Sequence, residues 1–240
     1  MTKRLTIKLW NKSILILWLI LNSIFNNYGV ATDETSTTPS VIKETVPLNL
    51  EESSRINYQK GLEALNTNQE IEAATLFKKA LIDFSRNHKA RIQLVTLYQK
   101  IGWTSETEQL LIEGLDLVPD HLDFIKYLGK HYQQTGQMRK SLSILLSMPD
   151  AGSKQIDYLA LLALAYLNTE QSEVAEKYYR QLLILNKNNP AWYLGLALCQ
   201  ESNGVYMQSI DNLIKAKNIG RFNNETLDYI NNKIQQLQNY

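Results

Sequence analysis

The chain has one cysteine, Cys199, in 240 residues, so no intrachain disulfide forms and no cysteine cage holds zinc. Stability must come from packing alone. Histidine is nearly as scarce. His88, His121 and His131 stand without an HExxH pattern or a carboxylate at fixed helical spacing, so they read as surface or boundary residues, not as metal ligands. Charge of one sign is also lacking, and the net +1 excludes a protein-wide nucleic-acid footprint. No stretch reads as a convincing strand, so no glycine-rich loop is placed to cradle a phosphate. Cys199 reads as a buried structural thiol, since no base is placed beside it. These absences lead to the expectation of a non-enzymatic protein with no cofactor, no metal and no small-molecule substrate.

What is present begins with an asymmetric N-terminus. Lys3, Arg4, Lys8 and Lys12 carry +4 with no acid among them, so the residues from 13 onward sum to −3. Residues 14–25 then read ILILWLILNSIF. Residues 1–31 are therefore expected to be an export segment, with the positive flank held inside and the bulk of the chain delivered outside the cytoplasm. Twelve strongly apolar residues are short against the roughly 20 of a spanning helix. Gly29-Val30-Ala31 also makes a small-x-small cleavage site, so a signal peptide and a single transmembrane anchor both stay open. Residues 32–53, rich in Ser, Thr, Pro and acids, read as a flexible linker.

From Ser54 a pattern returns every 34 residues without insertion, in units 54–87, 88–121, 122–155, 156–189 and 190–223. Position eight of each unit is Gly61, Val95, Gly129, Ala163 and Ala197, and position twenty is Ala73, Thr107, Ser141, Ala175 and Ser209. Position twenty-four supplies bulk with Phe77, Leu111, Leu145, Tyr179 and Leu213, and position seven, which is Lys60, Leu94, Leu128, Leu162 and Leu196, is expected to fill the same gap between the helices of a pair. Small residues facing large ones suit two antiparallel helices in close approach. Position three is apolar throughout (Ile56, Ala90, Phe124, Tyr158, Trp192), which predicts a core shared between neighbouring units. Gly102, Gly136 and Gly204 fall at position fifteen, between the helices of a pair. Ser105 to Glu108 reads as a capping box opening the second helix of unit two. Residues 224–240 are predicted to cap the array, with Leu227, Ile230, Ile234 and Leu237 on one face and Asn224 as the cap residue.

The period, helix faces and turn positions resemble the tetratricopeptide repeat (TPR). That resemblance implies an all-α fold: a right-handed solenoid of antiparallel helix pairs, five TPR units plus a C-terminal capping helix. Ser147-Met148-Pro149-Asp150, Tyr158 to Ala163 and Asn189 to Ala197 are moreover similar to the MSHA biogenesis protein MshN family of type IV pilus assembly. This implies a membrane-attached scaffold of a bacterial envelope. It would be single-pass in the inner membrane with its repeat domain in the periplasm, or a soluble periplasmic module regulating a cell-wall or secretion enzyme if the N-terminal segment is removed.

In such repeats the first helices line a concave groove, and the frame then directs a defined set of side chains into it. Units two and three give a polar, basic half with Lys89, Gln99, Lys100, Lys126, Lys130, Gln133 and Gln134. Units four and five give an apolar half with Leu164, Leu167, Asn168, Leu194 and Leu198. The expected partner is another protein, a helix or peptide laid in the groove, possible pilus-assembly components among them; the alternative is that the capping helix covers the leucines.

Overall fold

The computed structural model describes residues 49–148 and 155–239, so the expected export segment, most of the linker and Pro149 lie outside it. Among the described residues there are eleven α-helices and no strand. The first pair is α1 (Leu50–Asn66) and α2 (Glu70–Asp83), the second α3 (His88–Ile101) and α4 (Thr104–Leu117), and the third α5 (Leu122–Gln134) and α6 (Met138–Leu145). The fourth is α7 (Ile156–Asn168) with α8 (Ser172–Leu185), the fifth α9 (Pro190–Ser202) with α10 (Tyr206–Ile219), and α11 (Asn224–Leu237) follows. Each helix packs on the one before it, and α5 also touches α7, the next first helix. None of these helices is long and apolar enough to cross a membrane.

The helix pairs close as the small–large pattern requires. A Cβ on Gly61 would sit 2.5 Å from the Phe77 ring, and one on Gly129 would sit 2.9 Å from the Leu145 side chain. The bare backbone is what lets these side chains of the second helix reach the first. Positions eight, twenty and twenty-four are buried in all five pairs.

Position seven works differently from position twenty-four. Leu94 packs with Phe77 and Ala80, Leu128 with Leu111, Leu162 with Leu145, and Leu196 with Tyr179 and Leu182. Each belongs to the seam with the preceding second helix, alongside position three. Lys60, the first occupant of this position, is exposed because no described helix precedes α1. At the other end α11 buries Ile230 and Leu237 against Ala197, Ile210 and Leu213, and turns Glu225, Asp228 and Asn231 to water. Each end of the described array therefore presents polar side chains.

Position fifteen is left-handed in every pair: Asn68 (φ 59°), Gly102 (80°), Gly136 (74°), Glu170 (63°) and Gly204 (76°). Glu170 holds this conformation at a cost of about 1 kcal/mol, since its Cβ crowds the carbonyl there. Replacing it by glycine is expected to raise stability by somewhat less than about 1 kcal/mol, because glycine also loses more chain entropy. Urea unfolding checks this, and an unchanged or lowered midpoint would contradict it.

Two caps differ from the sequence expectation. The second helix of unit two starts two residues early, at Thr104, with Trp103 before it and no side-chain cap. Ser105 is therefore already inside the first turn. The box cannot form there, and Glu108 instead accepts a hydrogen bond from Tyr132 Oη at 3.0 Å. The cap of α11 is Asn223, whose side chain accepts from the Thr226 N–H at 2.9 Å, and Asn224 is the first helical residue.

Candidate protein-binding groove

Three adjoining concavities run along the first helices. The middle one, about 610 Å³, is lined by Ile92 of α3, Tyr127 and Lys130 of α5, and Leu161 and Leu164 of α7. The second, about 600 Å³, takes Leu164, Leu167 and Asn168 of α7, Leu198 of α9, Tyr206 of α10 and Leu237 of α11. The third, about 770 Å³, lies between α1 and the start of α3 and includes Arg55, Tyr58, Arg86 and Lys89. Ile92 and Asp123 border both the third and the middle one, and Leu164 borders both the middle and the second. Through these shared residues they form one groove, whose most apolar lining is in the middle concavity.

The apolar half follows from the helices that carry it. Tyr158, Leu162 and Ala165 of α7 are buried in the seam with α5 and α6, which leaves Leu161, Leu164 and Leu167 on the remaining arc. Leu164 is 38% exposed. The four groove leucines do not share one fate. Leu194 packs into the cluster that α11 closes, whereas Leu164, Leu167 and Leu198 stay on the groove. The repeat frame does not predict Tyr127 and Leu161 there. Both occupy position six, one helical turn from positions two and nine, and that spacing was the signal that could have found them.

The basic half is less basic than its letters. Lys126 Nζ lies 3.1 Å from Asp123 and 2.8 Å from Asp157, and donates to Gln155 at 2.9 Å. Its side chain is only 17% exposed. Burial opposes its charge, yet the hydrogen bonds to Asp157 and Asp123 prevail and raise its pKa, while Lys126 lowers that of Asp157 against the effect of burial. Lys126 thus fastens α5 to α7 and has little charge left to offer. Gln133 does similar work, donating from Nε2 to the Leu161 carbonyl at 2.7 Å. Lys100 pairs with Glu70 at the start of α2, away from the three concavities. Gln99 has its Nε2 buried without a hydrogen-bond partner, and Gln134 is exposed but borders none of the three. Asn168 donates to the Leu164 carbonyl at 2.9 Å.

Lys89 and Lys130 remain, exposed and, among the described residues, without an ion-pair partner. The carboxylates beside the apolar half are all engaged: Asp123 and Asp157 by Lys126, and Glu201 by Lys233 at 2.8 Å.

The other titratable groups serve packing. His121 stacks on Phe124 with ring centroids 4.0 Å apart and meets His88 edge-on at 4.9 Å. Burial lowers the His88 pKa, helped by His121, Arg91 and Arg86. Burial likewise lowers that of His131, against the pull of Glu108 at 4.0 Å. Among the described residues no three His, Cys, Asp or Glu side chains are grouped to hold a metal. Cys199 is fully buried, and burial pushes its thiol up to about 12, which keeps it protonated in the neutral range. The two depressed histidines make the folded state bind fewer protons than the unfolded chain below about pH 6.5. Stability is therefore expected to hold above that pH and to fall as pH drops from about 6.5 toward 5. Urea midpoints across that range measure it, and His131→Gln should flatten the slope.

No family model matches the chain. It is 20% identical over 149 residues to tetratricopeptide repeat protein 8 of Caenorhabditis elegans, which covers 62% of this chain, while the chain spans only 28% of that protein's length. Among solved structures it is similar to a chain of MamA from Desulfovibrio magneticus RS-1 that runs from residue 41 to the end, with a TM-score of 0.64 at 15% identity over 71% of this chain and 96% of that one. PilF of Pseudomonas aeruginosa gives 0.61 at 16% identity, covering 78% and 90% of the two chains. The thermophilic TPR protein TTC0263 of Thermus thermophilus gives 0.53 at 17%, covering 76% and 99%. At these identities the likeness speaks for architecture: the fold is that of a tetratricopeptide repeat protein.

Proposed function

We propose that the chain is a non-enzymatic scaffold that holds partner proteins in the groove along its first helices. The observation that carries this is the leucine-lined part of that groove, where Leu164 is exposed and Leu161, Leu167 and Leu198 line the middle and second concavities beside it. Contiguous apolar surface of this kind marks a binding site more often than a solvated face. The basic and apolar character of residues 1–25 supports a place at or beyond a bacterial inner membrane, with the repeats on the periplasmic side. The MshN-like runs support a role in assembling a pilus or a secretion-type complex.

Photocrosslinking in cells tests the scaffold reading. A crosslinking residue at Leu164 is expected to trap a discrete partner, and one at Glu173 on α8 is not. Equal capture at both, or none at Leu164, would overturn it. A mature protein starting near Thr32 in the soluble periplasmic fraction would favour the released module that regulates an envelope enzyme.

A further inference from the structure

We infer that the junction between the second and third helix pairs is a proton-operated hinge, at which acid frees α5 from α3 and α4 before it loosens the seams among α7–α11. The inference is independent of what the groove holds. All three histidines of the chain gather on this junction. His121 stands just before α5 and stacks on its Phe124, with ring centroids 4.0 Å apart. His88, the first residue of α3, meets both rings edge-on, at 4.9 Å from His121 and 5.4 Å from Phe124. His131 lies near the far end of α5 and is 3% exposed. The contact they flank is largely apolar: Phe124, Leu128 and Tyr132 of α5 pack on Val95 of α3 and Leu111 of α4. The imidazoles are therefore what makes it answer to pH between about 5 and 7.

Neither His131 nor His88 is placed to keep a proton. Among the described residues the Nε2 atom of His131 is buried without a hydrogen-bond partner. Glu108 of α4 comes only to 4.0 Å, and it already accepts from Tyr132 Oη at 3.0 Å and has Lys140 of α6 at 3.7 Å. From α7 comes one charge, Asp157, which Lys126 holds. Around His88 the nearby charges are cationic, Arg86 in the turn before it and Arg91 one turn on, with the His121 ring opposite. The acids of that region are engaged: Glu113 of α4 by Arg91, Asp83 of α2 by Ser53 and Asn57, Asp123 of α5 by Lys126, and Glu52 of α1 by Arg55. Glu51 of α1 and Asp120 of the α4–α5 turn are exposed to water. Burial accordingly lowers the pKa of His131 against the pull of Glu108, and that of His88 with the help of His121, Arg91 and Arg86. A proton refused by the closed junction is accepted once it opens. An imidazole that is neutral in the fold and regains its ordinary pKa of about 6.5 when freed makes opening up to about tenfold easier for each pH unit below that value. The stabilising contribution is whole above about pH 6.5 and is lost as pH falls toward the folded pKa values.

Hydrogen–deuterium exchange read by mass spectrometry, on the full chain in mild detergent, tests this. After correction for the intrinsic exchange rate, opening in residues 104–134 is expected to grow roughly fivefold or more between about pH 6.5 and 5.5, while α8–α10 change little. His88→Gln with His131→Gln should remove that growth. A variant weakened at every pH still tests the hinge, because what is read is the slope with pH. No growth in residues 104–134, equal growth in α8–α10, or growth that persists in the double variant would overturn the proposal.

Discussion

Tyr158→Ala is expected to destabilise the protein by about 4 kcal/mol, the order seen when a fully buried aromatic is emptied. Tyr158 is wholly buried and lies in one cluster with Ile125, Leu145 and Leu162. Its hydroxyl donates to the Leu145 carbonyl, at the end of α6, and lies 3.1 Å from the Met148 carbonyl. It thus fills the seam between the third and fourth pairs while tying down the carbonyls where α6 stops. Burial first, then Tyr178 and Tyr166, push its phenol up to about 12, so this tie does not titrate in the neutral range. Tyr158→Phe separates the two contributions. It keeps the ring and leaves two carbonyls short of a donor, for a loss of about 1 kcal/mol. Urea denaturation followed by circular dichroism measures both, and a loss below about 1 kcal/mol for the alanine variant would mean that the seam is not where the array is held.

Arg91→Ala is expected to cost about 3 kcal/mol, chiefly through carbonyls left without a donor. Arg91 is 3% exposed, and its guanidinium reaches three places. It donates to the Leu110 carbonyl at 2.9 Å, to the Ser85 carbonyl at 3.1 Å and to Glu113 at 3.3 Å. Burial lowers its pKa, and Glu113 offsets that only in part. Because Glu113 is half exposed, the ion pair itself contributes little. The fork geometry is what joins the α2–α3 turn to α4, and an ammonium has no such fork. Arg91→Lys is therefore expected to recover less than half of the loss in the same urea titration. Full recovery would show that charge alone suffices.

Arg91 also marks where the sequence was hard to read. It occupies position four, which elsewhere holds Asn57, Ile125 and Leu159 in the interior. A lone arginine in that column looks like a surface residue until its three acceptors are seen. By contrast, positions eight, twenty and twenty-four were legible because size alone decides them: a helix pair admits Gly61 against Phe77 and rejects bulk on both sides. Position seven was legible as apolar but not as to what it meets, since a seam with the preceding pair and a contact within a pair leave the same letters. The groove was read in outline and missed in detail. Asp123, three residues before Lys126, was a visible partner. Asp157, 31 residues away, became one only when α5 and α7 were brought together. Leu194 looked like Leu164 in the frame, and only the path of α11 separates them.

The second helices are not all alike. Those of the other four pairs have 14 residues, but α6 has eight, Met138–Leu145, and so offers a shorter described helix to its neighbours. In an array held only by neighbours, strength under tension is set by the weakest junction rather than by the sum. Pulled from its ends, this solenoid should part first beside α6, leaving α1–α5 and α7–α11 as two blocks. An optical trap would record that as an early yield before either block extends.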